Sequence, residues 1–264
     1  MRLNKTTTAR REWAAAILLI LIVSALAYLP LSGKIGFTSD DWYLVYAGLT
    51  GGLEKFKDVF AGDRPFRAFI AWPVFSLFGL NPLPYLLLSF ALRAAGGLAF
   101  FWLLRLAWPR QGRLNAALAA LFAVYPGWTD QFIPFDIQAH LLGTAAMLLS
   151  TGLSLRAMSA RNAAHKAALL LAGVVCQLTG LAMMEYYIGM EGLRFALLAL
   201  AAFEGRPAEA FRRGSLPRWK RMLAAWLPSL LGAGVFLFWR IFLFNNTRGA
   251  TDIQAMLASA AASP

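Results

Sequence analysis

The sequence predicts an all-α, polytopic membrane protein, and three observations carry that prediction. Hydrophobic residues make up 59% of the chain and charged ones 14%, against about 45–50% and about 25% in a soluble domain. Mean hydropathy is +0.58. The apolar residues gather into runs long enough to cross a bilayer, with the cations in short clusters between them, which is the pattern that membrane insertion leaves. A soluble chain of this composition would lack the polar surface to cover its core. A net charge of +12 would point a soluble protein towards nucleic acid; clustered between apolar runs, it points to a membrane face, and no nucleic-acid partner is expected. The one cysteine, Cys176, lies inside an apolar run, which leaves no intramolecular disulfide and no cysteine-based metal site.

The elements follow in order within a single transmembrane domain, 1–264. Four cations precede the first span, residues 13–31, WAAAILLILIVSALAYLPL. At 1.5 Å per residue such a run covers a hydrocarbon core of about 30 Å. Ala25-Leu26-Ala27 resembles a signal-peptide cleavage site, but the run continues past it, which favours an anchor. Residues 33–82 form an outer loop, and its first 34 residues, 33–66, hold five of the thirteen acids. Trp42, Leu44, Val45 and Leu49 are spaced for a helix lying on the bilayer surface. RAFIAWPVFSLFGL (67–80) is too short for an ordinary span and reads as a juxtamembrane or half-inserted helix. The prolines of GLNPLP then punctuate the chain.

Between 84 and 243 six further spans are predicted, at 84–107, 114–128, 137–155, 167–184, 187–203 and 222–243, making about seven. Residues 244–264 form an outer tail. With the N-terminus in the cytoplasm, each strongly basic linker falls inside: Arg105 to Arg113, Arg156 to Lys166, and residues 204–221. The linkers 126–136 and 185–191 carry acids and no Lys or Arg, and fall outside. Arginine and alanine usage hints at a bacterial source, hence a bacterial plasma membrane. An odd span count before an Ala/Ser tail suggests an N-terminal module that works with a second polypeptide.

Spans need no acids, so the outer acids are the informative residues. Asp40 and Asp41 stand together after the first span. Adjacent carboxylates repel, and such a pair can split duties, one taking a proton while the other holds a divalent cation or a sugar hydroxyl. The competing reading is helix capping by Ser39-Asp40-Asp41 ahead of WYLVYAGL. Arg64, in Asp63-Arg64-Pro65, can offer a fork of donors to a phosphate, or snorkel to the headgroups. Glu185, at the outer end of a span, lines a cavity or takes part in structural ion pairing, in which Arg93 and Arg240 would meet Glu185 or Glu191. His140 and His165 lack the carboxylate spacing of a metal site, and none is expected. The glycines of GLTGGL follow no strand and make no dinucleotide loop. Asn245-Asn246-Thr247 is a glycosylation sequon only in a eukaryotic source. Trp42, Tyr43, Tyr46, Tyr125, Trp128, Tyr186 and Tyr187 read as interface anchors, with sugar stacking as a secondary use.

One span, an outer loop with SDDWY, an RP element in DRPFRAF, then LFGLNPLPYLLLSFALR and the later AMMEYYIG, together resemble the GT-C glycosyltransferases. The likeness is to protein O-mannosyltransferases and related polyprenyl-phosphate-sugar-dependent bacterial enzymes, and it covers roughly residues 13–200. It implies an inverting transfer of a sugar from a polyprenyl-phosphate donor to an acceptor on the outer face. Asp40 or Asp41 would be the general base or touch the donor, Asp40 the favoured one, and Arg64 would sit near the donor phosphate. LLLSFALR carries no histidine where many members have one. The alternatives are a non-catalytic member, such as a lipid-linked-sugar flippase or a cell-envelope complex subunit, and a small-solute transporter. The transporter is disfavoured because the acids gather on one face and not at the midplane.

Overall fold

The computed structural model describes residues 5–125, 133–203 and 216–245. Among the described residues the fold is all-helical, with no strand. The helices are α1 (Lys5–Tyr28), α2 (Asp41–Phe60), α3 (Ala68–Phe78), α4 (Pro82–Ala107), α5 (Gly112–Ala123), α6 (Ile137–Ala157), α7 (Ala163–Met183), α8 (Met190–Ala202) and α9 (Leu216–Phe238). Short 3₁₀ turns cover Ser32–Lys34, Pro65–Arg67 and Glu185–Gly189, and a π-helical turn, Trp239–Leu243, closes α9.

Four segments are long and apolar enough to cross a membrane: Arg10–Lys34, Pro82–Ala107, Ala163–Met183 and Leu216–Leu243. These four make the chain an integral membrane protein by length and composition. Three of the roughly seven expected spans are not among these four, for two physical reasons. Helices α5 and α8 have 12 and 13 residues, about 18–20 Å of rise. Helix α6 has 21 residues, but it carries Gln138, His140, Thr144, Ser150, Thr151 and Ser154 along its length. It is enclosed by protein, packing chiefly on α4 and α7, so it need not be apolar to lipid. The predicted linker 126–136 and the basic linker 204–221 lie partly outside the described residues. So do Trp128, the sequon and the tail from 246.

Small residues bring the helices close, as expected where lipid supplies no hydrophobic drive between them. On one side of α4, Ala116, Ala119, Ala120 and Ala123 of α5 meet Ala16 and Ile20 of α1 and Phe101 of α4. On the other, Leu103 of α4, Leu148 and Leu155 of α6, Leu198 and Ala202 of α8, and Met222 and Ala225 of α9 share a core.

A buried polar knot ties four helices beneath that core. Arg194 of α8 is fully buried. Its Nε donates to Glu191 Oε1 (3.0 Å), its Nη1 to Ser150 O (3.1 Å) and Ser154 Oγ (2.7 Å), and its Nη2 to Ser150 Oγ (2.8 Å). Glu191 also accepts from Gln177 Nε2 of α7 (2.7 Å) and Trp226 Nε1 of α9 (3.1 Å). An ion pair at this depth is tolerable only when its donors and acceptors find partners.

The loop between α1 and α4 builds a cap with its own core. Leu44, Val45, Ala47, Phe56 and Phe60 of α2 pack on Ala68, Ala71 and Phe75 of α3, with Tyr85 and Phe135 beneath. The expected surface helix is therefore two-sided: Leu44 and Val45 turn inward, while Trp42, Tyr46 and Leu49 remain exposed. Helix α2 kinks at Gly52, whose φ of +57° suits only glycine. Trp72 fills the space beside it, with a ring atom 3.1 Å from where a Cβ would stand. That kink directs Phe56 and Phe60 down onto the start of α6. Helix α3 has 11 residues, about 16 Å of rise, little more than half of a hydrocarbon core of about 30 Å. Asn81 stops the excursion by accepting from Leu83 N (3.1 Å), with Pro82 opening α4.

Candidate functional site

The site begins where α2 begins. Ser39 takes a left-handed backbone, φ +46°, which is uncommon for a non-glycine residue and costs on the order of 1 kcal/mol. The turn sends the neighbouring aspartates to opposite sides. Asp41 is fully buried. Its Oδ2 accepts from Thr38 N (3.1 Å), and its Oδ1 accepts from both Phe135 N and Asp136 N (2.9 Å each). It therefore closes the turn that leads into α2 and pins the segment entering α6, 94 residues away. Burial pushes its carboxyl above the usual range. The N–H bonds from Asp136, Thr38 and Phe135 pull it back, and the charge of Asp136 adds to the rise.

Asp40 takes the other direction. Its side chain caps nothing in α2 and is exposed, lining a cavity of about 600 Å³. Asp40, at the N-cap position, makes no side-chain cap, and the backbone N–H groups that Asp41 accepts from belong to Thr38, Phe135 and Asp136, outside α2.

Three further acid–base groupings wall the cavity. Asp136 accepts from Arg67 Nη2 in a very short contact and from Tyr43 OH (3.0 Å). Arg67 is buried, and its guanidinium lies over the Phe60 ring, 4.7 Å from the centroid. Burial first, then the charge of Asp136, pushes the Tyr43 phenol up, so it remains a neutral donor. Arg64 forks onto Glu185, Nε to Oε2 at 3.1 Å and Nη2 to Oε1 at 3.3 Å, with Asp63 Oδ2 3.5 Å from its Nη1. Arg240, set in the π turn, reaches Glu185 Oε1 (3.8 Å) and donates to Asp63 O. Finally His140, in the first turn of α6, lines the cavity, and its Nδ1 lies 2.6 Å from the Tyr186 hydroxyl.

The predicted site residues are therefore distributed as follows. Asp40 and Arg64 line one cavity. Asp41 lies within its wall, and Glu185 stands behind Arg64 as its ion partner. The structural pairing foreseen for Arg240 and Glu185 is present. Glu191 pairs with Arg194, and Arg93 lies over the Tyr28 ring at 4.3 Å. Arg67, Asp136 and the site role of His140 escaped the sequence reading. Arg67 had a signal, because it follows Arg64 by three residues and a helical turn puts both on one side. Asp136 and His140 had none beyond lying at the start of a predicted span. Among the described residues no group of three or more His, Cys, Asp or Glu is arranged to hold a metal ion.

The lining carries Asp40, Asp63 and Asp136 against Arg64 and Arg67. Both arginines are already bonded to carboxylates. Such a cavity suits a polar ligand rich in hydroxyls, with at most a modest negative charge.

Glu185 gives a test of this network. Burial alone would raise its carboxyl. The bond from Arg64, its own backbone N–H, and the charges of Arg64 and Arg240 outweigh that and hold it below its ordinary value. A carboxylate depressed on folding adds stability above its unfolded pKa, about 4.3 for glutamate, and loses it as pH falls through the folded value. The melting temperature of wild type should therefore drop more steeply below about pH 4.3 than that of Glu185→Gln. Parallel curves would show that the fork adds nothing to the fold.

Compared with protein-family profiles, curated protein sequences and solved structures, the chain matches none.

Proposed function

We propose that the chain is a membrane glycosyltransferase of GT-C type, or the N-terminal module of one. It would move a sugar from a polyprenyl-phosphate donor to an acceptor hydroxyl on the outer face of the membrane. One observation carries the reading: Asp40, an exposed carboxylate, opens into a cavity of about 600 Å³ that also presents Arg64 and Arg67. A polyprenyl-phosphate sugar has a charged head on an apolar tail, so its anomeric carbon is confined to the bilayer surface. A base must be held at that depth, with cations facing the leaving phosphate.

In the proposed step Asp40 takes the proton of the acceptor hydroxyl. The acceptor oxygen attacks the anomeric carbon in line, the bond from that carbon to the phosphate oxygen breaks, and polyprenyl phosphate leaves with the electron pair. Configuration inverts. Arg64 and Arg67 balance the phosphate charge, sharing themselves with Glu185, Asp63 and Asp136. Membranes containing the chain should consume a polyprenyl-phosphate sugar in a thin-layer assay, and an unchanged donor would defeat the proposal.

A second reading is favoured by the prior engagement of both arginines. It is a non-catalytic protein that holds a lipid-linked sugar, as a flippase or an envelope-complex subunit would. Binding of donor without consumption, in the presence of candidate acceptors, would select it.

The proposed topology keeps the N-terminus in the cytoplasm of a bacterial cell, with about seven passes. Helix α6 crosses inside the bundle, and α5 and α8 are the short passes. With Cys176 replaced, single cysteines at Gly112 and Ala160 should resist an impermeant thiol reagent in intact cells, while one at Thr50 should label. Labelling at 112 and 160 from outside would invert this arrangement.

A further inference from the structure

A second hollow, of about 550 Å³, lies at the other end of the bundle. Helix α6 starts at the cavity, and its 21 residues rise about 30 Å, the depth of a hydrocarbon core. Where α6 ends, Met158 shares a core with Ala107 at the end of α4 and Phe203 just past α8. The hollow opens beside that core. Leu106 of α4 and Leu197 and Leu200 of α8 line it, and the turn after α4 gives it Trp108 and Arg110. Asn115 of α5 fixes this turn. It is buried, and its Nδ2 donates to Trp108 O (2.8 Å) and Leu104 O (3.4 Å).

We infer that this hollow is a binding site for an anionic phospholipid, with an acyl chain along the leucines and the headgroup at Arg110. Two observations select that occupant. An apolar wall that ends in a basic turn has the outline of an amphiphile, and Trp108 suits the level where chain meets headgroup. The charge at this end is also one-sided. Exposed Arg110, Arg113, Arg156, Arg161, Lys220 and Arg221 all lie near it, the last two at the start of α9, where Trp219 packs on Phe203. Among the described residues Glu12 is the one acid there, and it faces Arg105 at 4.0 Å. Basic pockets between spans take anionic headgroups. The site concerns the lipid around the chain and stands apart from the sugar-transfer reading.

The test titrates the whole chain, in detergent, with palmitoyl-oleoyl phosphatidylglycerol and separately with the phosphatidylcholine of the same chains. Native mass spectrometry counts the bound lipids. The first phosphatidylglycerol should bind about tenfold tighter or more than the first phosphatidylcholine, as expected for charged contacts. Arg110→Gln should lose about fivefold, the worth of one cation beside an anionic headgroup. Arg161→Gln removes an equally exposed cation that does not line the hollow, and should stay within about twofold. Ala201→Phe fills the hollow from an exposed position of its wall, leaves every charge in place, and should lose as much as Arg110→Gln. Glycerol phosphate, a headgroup without chains, should not displace the lipid.

Equal affinity for the two lipids would leave only an apolar groove and overturn the inference. Equal losses in Arg110→Gln and Arg161→Gln would show a diffuse basic face and overturn it as well. Undiminished binding by Ala201→Phe would place the lipid elsewhere, and displacement by glycerol phosphate would make the ligand a free anion. A chain that takes up no lipid but forms a dimer would give the hollow to a second copy, against the inference. Arg110 and Arg161 are both exposed, so their variants fold, and that comparison decides the matter even where Ala201→Phe does not fold.

Discussion

Asp40→Asn is expected to insert, fold and melt like wild type, to bind a polyprenyl-phosphate sugar, and to transfer it about 10²–10⁴-fold more slowly. Asparagine is nearly isosteric with aspartate but accepts no proton at neutral pH. Asp40 makes no side-chain cap in α2, so the substitution removes no structural bond to the backbone. Asp41→Asn is expected to behave differently although it changes the adjacent residue. Both oxygens of Asp41 accept from backbone N–H groups, one from Thr38 and the other from Phe135 and Asp136. Whichever way an asparagine amide is turned, its NH₂ faces a buried N–H donor. Each donor left unmatched costs about 1–3 kcal/mol, so Asp41→Asn should lower the melting temperature and loosen the entry to α6. Transfer and thermal unfolding measured on the same preparations separate the two roles. Near-normal transfer by Asp40→Asn would end the catalytic reading, and an unchanged melt for Asp41→Asn would remove its pinning role. Arg64→Lys keeps the charge but gives up the fork onto Glu185, and should weaken donor binding more than turnover.

Arg194→Met is expected to cost about 3–5 kcal/mol of stability, the usual result of removing one member of a buried pair. The Arg194 guanidinium supplies bonds to Glu191, Ser150 and Ser154. Its loss leaves Glu191, among the described residues, with Gln177 and Trp226 but no cation, in the middle of α6, α7, α8 and α9. Replacing Glu191 as well, as in Glu191→Met with Arg194→Met, should recover much of the loss, because no buried charge then remains. Denaturant unfolding in detergent, followed by tryptophan fluorescence, reads both. A single variant within about 1 kcal/mol of wild type would mean that water or lipid headgroups reach the pair.

The site was legible in the sequence only where local rules applied. Asp40 and Arg64 could be singled out because polar residues next to a span, in a chain this apolar, need a reason. The division between Asp40 and Asp41 could not be seen, since neighbouring residues of the same type differ only in which way one turn points them. The left-handed Ser39 decides that. Asp136, Arg67 and His140 belong to segments far apart in the chain, and their convergence depends on how α2 and α3 fold over the start of α6.

What the sequence determined by itself is the solvent and the class of structure. Apolar runs of 20 or so residues in lipid must satisfy their own backbone, and helices do so without partners. The four long apolar helices, the polar loop between the first two of them, and the turn at Asn81-Pro82 all follow from composition, length and capping. What only the tertiary structure decided is everything set by enclosure. Helix α6 is polar yet central because α4 and α7, and not lipid, are its surroundings. Arg194 and Glu191 survive at depth because four helices bring them partners. Asp40 becomes a candidate base because Asp41 has been spent on the wall beside it. Periodicity and composition report what a segment would do alone in water or lipid, whereas these residues answer to neighbours that the chain supplies from tens of positions away.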